Sequence, residues 1–160
     1  MDELLPLAEQ VAGLLRARGA TVSVVETSAG GLLSASLLAV PGASDYFVGG
    51  AVTYTRTARD ALLAIPEADL EGIRSASEPY ALLLARTIRE RLGTTWGLSE
   101  TGASGPTGNR YGDAAGHSCM AVSGPTERAR TLETGHADRV ANMFAFAAAA
   151  LRLLIEDLER

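Results

Sequence analysis

Lysine is absent from all 160 residues, and every one of the fourteen basic side chains is an arginine. No step in this protein can therefore use a lysine amine as base or nucleophile. Cysteine is nearly absent too. The single Cys119 excludes an intrachain disulfide and fits a reducing, cytoplasmic compartment. The start, MDELLPLAEQ, has no basic segment ahead of an apolar run and does not read as a signal peptide. The longest apolar stretch, MFAFAAAALRLLI, is alanine-rich and broken by Arg152, too short and too weak for a membrane span. Net charge is −5, which argues against a broad nucleic-acid-binding face. No His/Cys/carboxylate cluster has metal-ligand spacing, and neither the Gly-x-Gly-x-x-Gly fingerprint nor the Gly-Lys pair of a phosphate loop occurs. The expectation is one domain over 1–160, without metal or cofactor and without a nucleic-acid or membrane partner.

What is present is a hydrophobic fraction of 47%, enough for a real core in a chain of this length. Leu4, Leu5, Leu7, Ala8, Val11, Ala12, Leu14 and Leu15 recur at helical spacing, with Gly19 as the stop. Thr21 to Glu26 predicts a buried strand. Thr27-Ser28 then reads as a cap opening a helix through Leu32 to Leu38, ended by Val40-Pro41-Gly42. A second strand is expected over Ala51 to Thr55, and Thr57-Ala58-Arg59-Asp60 reads as a capping-box-like helix start. Ser77-Glu78-Pro79 begins a helix that runs to about Leu92 and ends at Gly93.

Trp96 to Glu100 predicts a strand entering the loop TGASGPTGNRYGDAAG, whose five glycines mark unusual dihedrals or close approach. His117 to Ser123 and Arg128 to Glu133 flank Gly124-Pro125 as an antiparallel hairpin, and a last helix spans about Asp138 to Leu158. This alternation favours a mixed, mainly parallel sheet covered by helices on both faces. The ligand site of such a sheet lies beyond the carboxyl ends of its strands, where the loops at 27–31 and 102–116 can meet.

On spacing alone, Thr27 and Ser28 lead as helix caps. The functional reading adds that a strand-to-helix turn presents amides at a positive helix end, able to hold a phosphate or an oxyanion. Four segments sharpen this: Glu26-Thr27-Ser28-Ala29-Gly30-Gly31, Gly49-Gly50-Ala51-Val52-Thr53-Tyr54-Thr55, Ser77-Glu78-Pro79 and Thr101-Gly102-Ala103-Ser104-Gly105-Pro106. In this order and spacing they resemble the CinA carboxy-terminal domain family, and the resemblance covers nearly the whole chain. It implies a three-layer α/β/α fold with a five-stranded mixed sheet, commonly as a homodimer. It also implies hydrolysis of nicotinamide mononucleotide to the nicotinic acid form and ammonia, without a metal.

Three departures qualify that implication. The family's nucleophilic serine falls on Thr27, with Ser28 one residue later, and its activating lysine falls on Arg59. Threonine can attack, though its methyl crowds the approach, whereas a guanidinium cannot act as a base. Arg59 can instead hold a carboxylate or phosphate bidentately, or simply be a solvated side chain near a helix start. In ungapped register, two family arginines near Gly135 become Ala137 and Ala141, which leaves Arg139 as the substitute.

The candidate catalytic residues are thus Thr27, Ser28, Tyr54 and Arg59. Ala29, Gly30, Gly31, Glu100, Thr101, Gly102, Ala103, Ser104, Gly105 and Arg139 are the candidate ligand-binding residues. Glu100 reads as a carboxylate at a strand end, either tied to an arginine or loop amides or poised as a base. His117 could move a proton but reads first as structural, Tyr54 as core with a wet hydroxyl, and Cys119 as buried and inert. Asn109 to Asp113 is either a lid or a surface loop, and His136 a surface residue. Two functions stay open: an amidohydrolase acting on a nicotinamide nucleotide or related amide, with impaired or altered activity, and a degenerate module that binds a nucleotide or metabolite in the same pocket.

Overall fold

The computed structural model describes residues 1–160. In chain order the elements are α1 (Leu5–Arg18), β1 (Val22–Glu26), α2 (Leu32–Leu38), a 3-10 turn (Ala43–Asp45), β2 (Phe47–Val52), α3 (Arg56–Leu63), α4 (Glu67–Leu70), α5 (Glu78–Leu92), β3 (Trp96–Ala103), β4 (His117–Ser123), β5 (Glu127–Glu133) and α6 (Arg139–Leu158). The five strands form one sheet in the order β2-β1-β3-β4-β5. The β1–β2 and β1–β3 pairs are parallel, and the β3–β4 and β4–β5 pairs antiparallel. The sheet is mixed as expected, although its pairings divide evenly rather than favouring the parallel kind.

Period-two alternation sorts each central strand between two helical layers. Val22 and Val24 of β1, Trp96 and Leu98 of β3, and Met120 and Val122 of β4 join one large core with α1, α2 and α6. On the other face, Val25 packs with Leu63, Tyr80, Leu84 and Ile88, and Cys119 and Ala121 pack with Ala81 and Ala85. That face is built for close approach. The Ser99 hydroxyl donates to the Ala81 carbonyl at 2.6 Å, and a Cβ on Gly97 would sit 2.0 Å from the Ala85 carbonyl oxygen. α5 therefore lies almost directly on β3.

Several termini follow the local sequence. Gly19 and Gly93 close α1 and α5 in the left-handed conformation, and the Ser77 hydroxyl accepts from the Tyr80 amide at the start of α5. Asp138 caps α6 by accepting from the Ala141 amide.

Three expectations are corrected. The second strand occupies Phe47–Val52 rather than 51–55, because its pairing to β1 begins at Phe47 and ends at Val52. The cap of α3 is Thr55, two residues before Thr57, and its hydroxyl accepts from the Ala58 amide at 3.1 Å. Neither Thr27 nor Ser28 caps α2. Its N-cap is Gly31, at φ 102°, and the capping acceptor is the Glu26 side chain. No helix is long and apolar enough to cross a membrane.

Candidate functional site

β2, β1 and β3 run parallel, so their carboxyl ends open onto one edge of the sheet. The turns that leave them carry Thr53-Tyr54, Thr27-Ser28 and Ser104-Gly105 respectively.

Two buried carboxylates set the shape of the middle turn. Glu26, the last residue of β1, accepts from the amides of Gly31 at 3.1 Å, Leu33 at 2.8 Å and Ser34 at 3.0 Å, and from the Ser34 hydroxyl at 2.8 Å. These are the orphan donors of the first turn of α2, and a carboxylate at that end also complements the helix dipole. Glu100 reaches across from β3. It accepts from the amides of Thr27 at 3.2 Å and Ala29 at 2.8 Å, from the Ser118 hydroxyl at 3.0 Å, and from the Ser28 hydroxyl. Burial pushes the Glu100 carboxyl above its ordinary range, and the four donors counter only part of that. Of the two readings of Glu100, the structure gives the one in which loop amides partner it. It lies beneath the turn, out of the cleft.

Above the turn lies a cleft with two adjoining lobes, of about 510 Å³ and 250 Å³. The larger is lined by Thr27, Thr53, Tyr54, Arg56, Arg59 and Arg110, among others. The smaller is lined by Ser28, Ser104, Gly105, Thr107 and Arg139, with Ala103 and Gly108. Tyr54, Gly102 and Asn109 belong to both. The candidate residues Thr27, Tyr54, Arg59 and Thr101 thus share the larger lobe, while Ser28 opens onto the smaller one. Ala29, Gly30, Gly31 and Glu100 line neither. The amides of Thr27, Ala29 and Gly31 donate inward to the two carboxylates, which removes them as oxyanion donors and leaves that of Ser28 beside the cleft.

The Thr27 hydroxyl makes no hydrogen bond within the protein, whereas the Ser28 hydroxyl is engaged with Glu100. Arg59 does not point to solvent: its side chain is 14% exposed and pairs with Asp60 at 2.8 Å. Burial lowers its pKa, but the bond to the Asp60 carboxylate and the neighbouring Tyr80 side chain more than offset this, so its proton is held more firmly than usual. Tyr54, a candidate site residue with core packing as its alternative reading, is 63% exposed, because β2 ends before it and the chain leaves the sheet. Its hydroxyl accepts from Arg139 at 3.3 Å, and Arg139 also donates to the Gly105 carbonyl at 2.5 Å. Arg139 therefore stands over the smaller lobe, and the absence of arginine at 137 and 141 does not strip the site of a guanidinium.

His117 lies outside both lobes. One ring nitrogen contacts the Glu133 carboxylate and the other the Ala76 carbonyl at 2.8 Å, a structural role between β4, β5 and the approach to α5. Burial pushes the Cys119 thiol up, as an inert buried thiol requires. His136 is exposed. Asn109 to Asp113 forms a closed loop in which the Asn109 side chain bonds the Tyr111 and Asp113 amides, and Asp113 is held by Arg74 at 2.7 and 3.0 Å. That loop walls the cleft.

Sequence reasoning missed Thr53, Arg56, Arg110 and Asn142. Thr53 lay within a quoted segment, unremarked, and Arg110 within the 109–113 stretch read as a lid or a surface loop. Asn142 is fully buried and donates to the carbonyls of Ser104 and His136, both at 2.9 Å, so it fixes the loop beneath Arg139. An asparagine one turn into an apolar helix was the available signal.

The fold and the cleft define a three-layer α/β/α domain with a hydroxyl- and arginine-lined site at the carboxyl edge of a mixed sheet. Residues 4–158 match the model of the CinA C-terminal domain, and the chain belongs to that family. It is 38% identical over 127 residues to a CinA-like protein of Nostoc sp., and 40% identical over 129 residues to one of Myxococcus xanthus. Those stretches cover 79% of this chain but only 30% and 31% of the relatives, so the chain spans about a third of their length. The crystal structure of competence/damage inducible protein CihA from Agrobacterium tumefaciens superposes with a TM-score of 0.89 at 25% identity, covering 99% of this chain and 96% of that one. The competence damage-inducible protein A from Klebsiella pneumoniae shares the fold, with a TM-score of 0.91 at 24% identity over 98% of each chain.

Proposed function

We propose that the chain binds a phosphorylated small molecule of the nicotinamide-nucleotide type in this cleft, and that it deamidates that ligand poorly by the mechanism the family resemblance implies. One observation carries the reading. The Thr27 hydroxyl faces the cleft with no proton acceptor bonded to it, beside a guanidinium that keeps its proton. A nucleophilic hydroxyl needs a base within hydrogen-bond reach, and Arg59 cannot be that base. Glu100 is below the turn with its carboxylate occupied by four donors. Binding is supported by Arg139 over the smaller lobe and by Ser28, whose backbone amide is not taken by either buried carboxylate, at the same lobe.

The bond between Ser28 and Glu100 favours a second reading, in which Ser28 attacks and Glu100 takes its proton. Purified protein incubated with nicotinamide mononucleotide separates the two, with ammonia release and thermal shift measured together. A thermal shift with ammonia at background is the expected result. Ammonia lost on Ser28→Ala and kept on Thr27→Ala would establish the second reading, and no thermal shift at all would overturn both for this ligand.

A further inference from the structure

The larger lobe holds more positive charge than a single phosphate requires. Seven of the fourteen arginines pair with a carboxylate. Of the seven that do not, three line the cleft: Arg139 over the smaller lobe, and Arg56 and Arg110 in the larger. In a protein of net charge −5, this places guanidinium groups without a carboxylate partner along one cleft, Arg56 also lining an adjoining cavity of about 900 Å³ that contains Glu67 and Glu71.

Arg56 and Arg110 also share a neighbour. The Arg110 guanidinium stacks 5.6 Å from the centre of the Tyr111 ring. The Tyr111 hydroxyl is held below its ordinary pKa, first by the adjacent Ser75 and, against burial, by the charges of Arg110 and Arg56. The lobe's positive field therefore registers on a third side chain.

Each lobe further holds a buried hydroxyl without a partner: Thr53, 3% exposed, at the larger, and Ser104, 2% exposed, at the smaller. Such groups are scarce in folded proteins, and each calls for an explanation. The smaller lobe, at about 250 Å³, falls below the usual volume of a complete small-molecule site, whereas the larger, at about 510 Å³, falls within it. The two lobes meet at Tyr54, Gly102 and Asn109, so one elongated ligand can lie across both.

We infer that Arg56 and Arg110 form a second anion subsite, and that the cleft takes a nucleotide bearing a second anionic group beyond the phosphate at Arg139, the class of dinucleotides and nucleoside bisphosphates. This rests on the proposed binding of a phosphorylated ligand and extends it to a second charge. Guanidinium forks suit phosphate oxygens, and exposed pairs of this kind act strongly at low salt.

Isothermal titration at low salt tests it with three probes: nicotinamide mononucleotide, nicotinamide adenine dinucleotide and adenosine 3′,5′-bisphosphate. The wild type and an Arg56→Gln/Arg110→Gln variant are compared, both substitutions lying at exposed positions. At least one doubly charged probe is expected to bind the wild type about tenfold more tightly than the mononucleotide, with the ratio falling to about one in the variant. An advantage that persists in the variant overturns the assignment to Arg56 and Arg110. Binding of the mononucleotide with no advantage for either other probe overturns the second subsite and leaves the proposed function standing. Failure of all three probes to bind overturns both.

Discussion

Glu100 on β3 holds the Ala29 amide at 2.8 Å, joining a strand to a turn seventy-one residues away in the chain. The same carboxylate takes the Thr27 amide and the hydroxyls of Ser28 and Ser118. Removing it strands the Ala29 amide and the Ser28 hydroxyl, while the Thr27 amide keeps the Glu100 backbone carbonyl and the Ser118 hydroxyl the Thr101 carbonyl. Glu100→Ala is therefore expected to destabilise the fold by about 3 kcal/mol, the loss expected when buried polar groups are left unsatisfied. Urea denaturation measures this, and a midpoint equal to wild type would refute it. Glu100→Gln, which keeps one acceptor oxygen, should fall between the two.

Installing the serine and lysine that the family resemblance implies should raise activity under the proposed function. In Thr27→Ser/Arg59→Lys, a less crowded hydroxyl faces an amine that can lose its proton, at a position already shielded from solvent. Ammonia release from nicotinamide mononucleotide is expected to rise by about a hundredfold, the range of a positioned general base. Either single change alone should fall well short. A double variant no faster than wild type would show that position 59 cannot serve as the base in this cleft.

Stability should depend on the charge of His117. Burial lowers its pKa, but the Glu133 carboxylate and the Ala76 carbonyl, with Asp113 at 3.6 Å, outweigh burial and raise it above 6.5. A raised value means that the folded state binds the proton more tightly than the unfolded one. The contribution is complete below the unfolded value of about 6.5 and disappears as pH climbs through the higher folded value. Melting temperatures recorded from pH 5 to 9 should fall over that window. In His117→Gln the fall should be absent; an unchanged slope would remove the histidine from the account.

The contact between α5 and β3 admits no side chain at position 97. Gly97→Ala would place its Cβ 2.0 Å from the Ala85 carbonyl oxygen, a backbone atom that cannot rotate away. The helix must lift from the sheet, and the expected loss is about 2 kcal/mol, typical of overpacking. Differential scanning calorimetry reads this as a lower melting temperature. Because α5 also carries Tyr80, which lines the larger lobe with Arg59, ligand-induced thermal shifts should weaken in the same variant.

Elements whose signals are local were legible in the sequence. Ser77-Glu78-Pro79 starts α5, and the hairpin of β4 and β5 forms where Gly124-Pro125 separates two strand-like runs, because hydroxyl caps and turn residues act within a few positions. The capping of α2 was not legible. Two hydroxyls stood at the expected place, but Glu26 reached forward five to eight residues and Glu100 crossed from another strand, and both outcompeted them. β2 was misplaced because Gly49-Gly50 weakens its strand signal, while its pairing to β1 fixes its extent. The family motifs located the cleft edge. Its guanidinium wall, from Arg56 and Arg110, came from residues that are ordinary in sequence and meet only when α3 and the long glycine loop converge.

The two acids beneath the turn make its geometry separable from its chemistry. Because Glu26 and Glu100 hold the backbone of residues 27–34 from below, the shape of the loop does not depend on a hydrogen bond from the side chain at 27. That position is interchangeable at little structural expense. A lineage can exchange serine for threonine there, abandon one reaction and try another, while the mould in which the ligand is cast stays the same.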